Sequence, residues 1–229
     1  GVAVGDVDDD GDLDVVLVRE NLRDRLYLNN GTGTPFYGVT GSDISTDAFA
    51  SRCAALGDVD KDGDLDLVVG VYVDDNRLYL NNGTADPFNG VAGSDIGTSA
   101  GLTRMIALAD LDGDTYLDVI TCNYTGQNRW YLNNQTADPF NGVSGIPITT
   151  DADASRSVAV GDLNGDLDLD VVFANYGVAD KLYLNNGTGD PFNGVTAIAI
   201  DVALDTTDVA LGDVDGDTDL DLVVTVEGW

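Results

Sequence analysis

The sequence predicts an all-β fold of β-propeller-type four-stranded blades, with about four and a half repeats of 52 residues. A motif returns at a nearly fixed period along the whole chain. Short runs rich in Val, Leu and Tyr alternate with Asn-Gly and Asp-Gly turns, and no segment carries an i, i+3, i+4 apolar stripe. Since four and a half blades do not close a ring, an open stacked array of the same repeats is the alternative.

The repeats are expected to form a single domain with approximate boundaries at 1–52, 53–104, 105–156, 157–207 and a partial 208–229. In the second repeat, 53–57 and 65–72 flank an aspartate-rich loop, and 77–82 and 91–96 supply the remaining extended segments. Because the sequence starts and stops inside a repeat, we expect it to be part of a longer chain. The most divergent stretch, 196–204, marks either an edge that meets another chain or sequence drift.

The recurring motif is a nine-residue loop with acidic residues at positions 1, 3, 5 and 9. Its copies begin at Asp6, Asp58, Asp110, Asp162 and Asp213, at intervals of 52, 52, 52 and 51 residues. Short carboxylates on a tight loop are the oxygen ligands that Ca²⁺ prefers, and position 7 would add a backbone carbonyl. A helical EF-hand is excluded because its Glu at loop position 12 is missing. The predicted ligands of up to five Ca²⁺ ions are Asp6, Asp8, Asp10, Asp14, Asp58, Asp60, Asp62, Asp66, Asp110, Asp112, Asp114, Asp118, Asp162, Asn164, Asp166, Asp170, Asp213, Asp215, Asp217 and Asp221.

Position 6 differs between the copies. Gly11 and Gly63 occupy it in the first two loops, whereas Thr115, Leu167 and Thr218 occupy it in the others. Side chains with a Cβ are disfavoured at positive φ. The last three loops are therefore expected to bend differently or to bind the ion more weakly.

Charge and composition exclude several classes of function. The formal charge is −31, with 41 acidic residues and no histidine. Nucleic acids and anionic membranes require a basic face, and no run of about 18 apolar residues is present for membrane insertion. Without histidine, Ser-His-Asp and Cys-His catalysis and histidine-ligated zinc are excluded. No insertion breaks the repeat symmetry, so we expect a protein that is not an enzyme.

Calcium also bears on location. Five divalent ions would bring the charge from −31 to −21. Weak aspartate loops suit the millimolar calcium outside the cell, which predicts an extracellular or cell-surface location.

The run Val-Ala-Val-Gly-Asp-Val-Asp-Asp-Asp-Gly-Asp-Leu-Asp-Val-Val and its four relatives resemble FG-GAP/VCBS-type repeats, the blades of integrin α-subunit propellers and of large bacterial secreted proteins. The resemblance implies that the aspartate loop joins the first two strands of each blade and holds Ca²⁺. It further implies a structural or adhesive role, with lectin-like recognition of carbohydrate or protein and a filament-forming array as alternatives. The implied partners are other copies or further repeats, glycans and surface proteins.

Other residues also recur with the repeat. The column Arg25, Arg77, Arg129 and Lys181 and the column Arg52, Arg104 and Arg156 are interpreted as pairing with aspartates, with a ligand-binding ring as the alternative. The periodic Tyr and Phe residues are predicted to pack between blades. Cys53 and Cys122 are expected to be isolated buried thiols rather than a disulfide.

Overall fold

The computed structural model describes residues 1–97, 101–150 and 152–228, and within them all regular structure is β-strand. The strands fall into four four-stranded groups and a final pair. In chain order they are β1 (Val2–Gly5), β2 (Asp14–Leu17), β3 (Arg25–Tyr27) and β4 (Ser42–Asp43); β5 (Ser51–Gly57), β6 (Asp66–Val71), β7 (Asn76–Tyr79) and β8 (Ser94–Ile96); β9 (Thr103–Ala109), β10 (Asp118–Asn123), β11 (Arg129–Tyr131) and β12 (Ile146–Pro147); β13 (Ser155–Gly161), β14 (Asp170–Val178), β15 (Lys181–Tyr183) and β16 (Ile198–Ala199); β17 (Leu204–Gly212) and β18 (Asp221–Val226).

Each group is an antiparallel sheet in which the strands pair in chain order. The first two strands of every group end in the same register, with a glycine or alanine opposite the aspartate that closes the loop, such as Gly5 opposite Asp14 and Ala109 opposite Asp118. The loops of all five repeats therefore leave and re-enter their sheets at equivalent points. The prediction of an all-β chain with four-stranded sheets is confirmed.

The fifth repeat is joined to the fourth sheet. The long strand β14 pairs at its end with β17, where Tyr176 lies opposite Asp205 and Val178 opposite Leu204. The divergent stretch 196–204 contains β16 and the first residue of β17. Strands β5, β9 and β13 begin at Ser51, Thr103 and Ser155, two residues before the approximate repeat boundaries.

The core lies between neighbouring sheets. The first strands contact one another in series, β1 with β5, β5 with β9, β9 with β13 and β13 with β17. All residues of β6 and β10 and the first six of β14 are buried. Burial of consecutive residues is the mark of a strand covered on both faces. In β2 buried and half-buried residues alternate, because the first sheet packs against a described neighbour on one face only.

Periodic aromatic residues fill the spaces between sheets. Tyr79 and Phe88 of the second sheet are 1% exposed and pack in one cluster with Val16 and Leu26 of the first sheet. Tyr131 and Phe140 pack in the same way on the second sheet. Burial of each such side chain contributes about 1.5–3 kcal/mol. The predicted packing role of this column is confirmed for the inner sheets. A search of residues 1–97, 101–150 and 152–228 finds no membrane-spanning helix.

Candidate metal centres and the contacts between sheets

The predicted ligands at positions 1, 3 and 5 lie in the loops that connect the first and second strands of each repeat, and the position 9 aspartate is the first residue of the second strand. In every loop the position 1 carboxylate accepts a hydrogen bond from the backbone N–H at position 6, and in all but the second loop it also accepts one from position 5. In the first loop these are Asp10 N to Asp6 Oδ1 at 3.1 Å and Gly11 N to Asp6 Oδ2 at 2.9 Å. The position 5 carboxylate accepts a bond from the N–H at position 7, as in Asp12 N to Asp10 Oδ1 at 2.9 Å. The loops are therefore folded around their own carboxylates.

Carboxylate oxygens converge in four of the five loops. In each group the oxygens lie within 4.8 Å of one another. The groups combine positions 1, 3 and 5 in the first two loops and positions 1, 3 and 9 in the third and fifth: Asp6, Asp8 and Asp10; Asp58, Asp60 and Asp62; Asp110, Asp112 and Asp118; Asp213, Asp215 and Asp221. In the fourth loop Asn164 replaces the position 3 aspartate, and its Nδ2 donates to Asp166 Oδ2 at 2.8 Å. This converging set of hard oxygen donors fits a divalent cation such as Ca²⁺.

Electrostatics within the loops also favour a bound cation. Burial, together with neighbouring carboxylates, raises the pKa of Asp8, Asp60 and Asp112. Oδ1 of Asp8 and Oδ1 of Asp58 are buried without a hydrogen-bond partner. A buried carboxylate oxygen without a donor is costly unless a cation or proton neutralises it. A divalent ion would therefore relieve both the desolvation and the mutual repulsion of these groups.

The position 9 aspartate anchors the loop to the sheet. Asp66 is fully buried, and its Oδ2 accepts from Val59 N at 3.0 Å while its Oδ1 accepts from Asn81 N at 2.8 Å. Equivalent bonds are made by Asp118. Burial raises the pKa of Asp66 and of Asp118 to about 7. This aspartate therefore connects the start of the loop to the end of the third strand.

The expectation that the last three loops bend differently is wrong. Positions 4 and 6 have positive φ in every loop, and Thr115, Leu167 and Thr218 adopt values of 77°, 74° and 80° at position 6. In these loops position 4 is a glycine, whereas Asp9 and Lys61 hold it in the first two. Each loop thus has one glycine at one of its two left-handed positions, and a residue with a side chain is strained at the other.

Sequence reasoning missed a buried asparagine column. Asn133 Nδ2 donates to Val59 O of the preceding repeat's loop at 2.8 Å and to Leu117 O of its own loop at 3.0 Å. Asn81 and Asn185 make the same cross-repeat bond, at 2.8 and 2.9 Å. Their column, the first Asn of each Asn-Asn pair, was the available signal, but Asn-Gly sequences usually indicate only a turn.

The two columns of basic residues behave differently. In the first, Arg25, Arg77 and Lys181 pair with Asp43, Asp95 and Asp153, as predicted. The fourth member, Arg129, donates to Gly145 O at 2.8 Å and has no aspartate partner among the described residues. In the second the prediction is wrong. Arg52 and Arg156 pair with glutamates, Glu20 at 2.7 Å and Glu227 at 3.9 Å. Arg104 has no carboxylate at ion-pair distance in the described part of the chain and lies instead over tyrosine rings.

Both cysteines are free and buried, as predicted. They are not electrostatically isolated, because the proximity of Cys53 adds to the effect of burial in raising the pKa of Cys122. Burial raises the pKa of Cys53 to about 12. Thiols that remain protonated and covered have no nucleophilic role.

Known proteins resemble both the sequence and the fold. The family profile described as FG-GAP-like repeat matches residues 6–69, 58–121, 110–173 and 162–224. Cartilage acidic protein 1 of Xenopus tropicalis is 30% identical over 190 residues, which cover 76% of this chain and 28% of that protein. The Homo sapiens protein of the same name is 28% identical over 125 residues, 54% of this chain and 19% of that protein. The chain thus spans less than a third of these relatives.

Two solved structures share the fold. One is an Agrocybe aegerita lectin that recognises non-reducing terminal N-acetylglucosamine, with a TM-score of 0.63 and 18% identity over 98% of this chain and 60% of the lectin. The other is the V. cholerae biofilm matrix protein Bap1, with a TM-score of 0.54 and 20% identity over 98% of this chain and 34% of Bap1. Together with the four matched repeats and their sheets, these comparisons show that the chain belongs to the FG-GAP-like repeat family.

Proposed function

We propose that this chain is a calcium-clamped extracellular repeat module with a structural or adhesive role and no catalytic activity. The observation that carries the proposal is the convergence of carboxylate oxygens within 4.8 Å in loops that all occupy the same place in their sheets. Asp8 and Asp60 at position 3 would hold the ion together with the carboxylates at positions 1 and 5, and Asp112 would hold it with those at positions 1 and 9. Bound calcium would supply charge neutralisation.

Clamping a loop would also stabilise the contact between repeats. The Val59 carbonyl, at position 2 of the second loop, accepts the hydrogen bond from Asn133 of the next repeat. Lys61, at position 4, reaches Thr115 of the third loop and lies 4.1 Å from the centre of the Tyr116 ring. An ion that fixes one loop therefore fixes the surface on which the next repeat packs. Stiffness of this kind suits a scaffold that presents or connects other molecules.

The test compares thermal unfolding and mass in about 5 mM CaCl₂ and in excess EGTA, with mass followed by light scattering. For dissociation constants near 10⁻⁴ M, saturation stabilises the fold by about 2 kcal/mol per site. In Asp62→Asn, which removes a position 5 charge, the calcium-induced rise in Tm should be smaller. The exposed turn variant Asp74→Asn loses the same charge outside the loops and should respond like the unchanged protein.

The outcomes separate the alternatives. A calcium-dependent rise in both Tm and mass supports a self-associating structural array. A rise in Tm of a monomer supports a module that acts by recognition. Identical melting in calcium and EGTA would refute the calcium assignment.

A second candidate, glycan recognition, is favoured by a groove between the first two sheets. Its volume is about 550 Å³, and polar side chains line it, including Arg23, Asp43, Ser45, Asp47 and Asn89. Sites for small ligands have volumes of about 300–1,000 Å³. The lectin with the same fold makes a sugar a reasonable ligand class. Glycan-array binding that is lost in Asn89→Ala and retained in Asn193→Ala would support this candidate, and no bound glycan would count against it.

A further inference from the structure

An alternating ladder of arginines and tyrosines crosses the second, third and fourth sheets. The arginines are the second residues of β5, β9 and β13, and each tyrosine lies in or directly after the second strand of a sheet. The guanidinium carbons of Arg52 and Arg104 lie 4.7 and 5.2 Å from the centre of the Tyr72 ring. Arg104 also lies 4.7 Å from the centre of the Tyr124 ring. Arg156 continues the ladder between Tyr124 and Tyr176, at 5.9 and 3.9 Å.

The chain's only two glutamates lie at the ends of this ladder. Glu20 binds Arg52 and Glu227 approaches Arg156, so both outer arginines have a counter-charge. Both glutamates fall in the column that holds tyrosine in the inner repeats. Arg104 at the centre has tyrosines on both sides and, among residues 1–97, 101–150 and 152–228, no carboxylate partner. In a chain with a charge of −31, an arginine without an acidic partner is unexpected.

The terminal nitrogens of Arg104 are available to a ligand. Nε of Arg104 is buried without a hydrogen-bond partner. The two terminal nitrogens make no hydrogen bond within the described part of the chain. Unlike Nε they are not buried, so they reach solvent. The rings of Tyr72 and Tyr124 restrict the guanidinium to one plane. A fixed, planar, unpaired guanidinium is suited to bidentate binding of a carboxylate or sulfate.

The ladder lies at the opposite end of the strands from the aspartate loops. Arg104 is the second residue of β9, and the third loop starts at Asp110, six residues later. At about 3.3 Å per residue the two are separated by about 20 Å. This exceeds the Debye length of about 8 Å at physiological ionic strength. The loop carboxylates therefore do not cancel the local positive charge at Arg104.

We propose that Arg104, held between Tyr72 and Tyr124, is a binding site for an acidic sugar, with the guanidinium engaging its carboxylate or sulfate. The hydroxyls of both tyrosines make no hydrogen bond in the described residues and can bond the sugar hydroxyls. A single acidic group is attracted by one unpaired guanidinium, whereas a densely charged polyanion would be repelled by the rest of the chain. The proposal is independent of calcium binding, since it uses none of the loop residues.

The competing explanation is that the ladder only joins neighbouring sheets. Cation–π contacts stabilise the fold by themselves, so removing Arg104 would lower Tm whether or not a ligand binds. Stability alone therefore does not decide, and binding must be measured directly.

The test is calorimetric titration of the calcium-loaded protein with glucuronate, N-acetylglucosamine 6-sulfate, neutral N-acetylglucosamine and sodium sulfate. Binding of one or both acidic sugars is expected, and the preferred one identifies the anionic group. Arg104→Gln should weaken binding about tenfold or more. Arg25→Gln removes an equal charge from a surface pair with Asp43 and should leave the affinity unchanged.

A second variant keeps the test valid if Arg104→Gln does not fold. Tyr124→Phe preserves the stacked ring and should weaken sugar binding by about threefold through loss of one hydrogen bond, with Tm unchanged. Equal affinity for the acidic and neutral sugars, or unchanged affinity in Arg104→Gln, would overturn the proposal. Equal affinity for the sulfate ion and the sulfated sugar would overturn the assignment of the ligand as a sugar.

Discussion

Replacement of Asn133 by alanine tests whether the buried asparagines hold neighbouring repeats together. Asn133 is 2% exposed, donates to Val59 O and Leu117 O, and accepts from Gln135 N at 2.8 Å. Truncation removes the partner of the buried Val59 O, the half-buried Leu117 O and the N–H of the exposed Gln135, and each loss costs about 1–3 kcal/mol where water cannot replace the bond. We expect a loss of about 3 kcal/mol, which for a chain of this length lowers Tm by about 6–12 °C.

The first repeat supplies the matched control. Asn29 occupies the same column and donates to Leu13 O of its own loop at 3.1 Å, but no cross-repeat bond is described for it. Asn29→Ala should therefore cost about 1 kcal/mol. Both variants would be measured by urea unfolding in a Trp229→Phe background, so that fluorescence reports the fully buried Trp130. Equal losses for the two variants would refute the idea that the cross-repeat bond carries the difference.

Three further predictions follow from the loops, the buried carboxylates and the thiols. Leu167→Gly should raise stability by about 1 kcal/mol, because Leu167 is 87% exposed at a φ of 74°; Leu13→Gly, exposed but without positive φ, should not raise it. In EGTA, the raised pKa of Asp66, about 7 against 3.8, means that the folded state binds the proton more tightly. Its contribution to stability is therefore present below about pH 4 and lost as the pH rises through 7. Stability in EGTA that increases between pH 5 and 8 would contradict this sign, and calcium should reverse the trend. Cys53 and Cys122 should react with a thiol reagent only after unfolding, and fast labelling of the folded protein would show that they are accessible.

Local residue patterns were sufficient to predict the strands and the loops. Apolar residues in succession, as at 171–174, require a strand covered on both faces, and β14 is buried there. The aspartate spacing placed every candidate ligand in one kind of loop. The prediction for position 6 failed because it considered one left-handed position, whereas each loop has two, and Gly113 occupies the other in the third loop.

The sequence predicted the apolar packing between repeats but not the polar contacts between them. The Asn133 bond to Val59 joins residues 74 positions apart, and nothing local distinguishes such an asparagine from one in a turn. The surroundings of Arg104 were also not predicted. Its position in the repeat favoured an aspartate partner, whereas its neighbours are two tyrosine rings from different sheets. Partner choice depends on how adjacent sheets are placed relative to each other.

The sequence by itself determined the period, the strand content and the positions of the candidate calcium ligands, because turns, burial patterns and ligand spacing act within one repeat. Only the tertiary structure decided which carboxylates converge, that Asp66 is buried and anchors its loop, and that Arg104 has no acidic partner. Convergence of the carboxylates depends on the backbone conformation of each loop, and the Asp66 anchor depends on pairing within its own repeat. The surroundings of Arg104 arise where one sheet packs on the next, and such packing brings together side chains whose separation along the chain carries no signal of their contact.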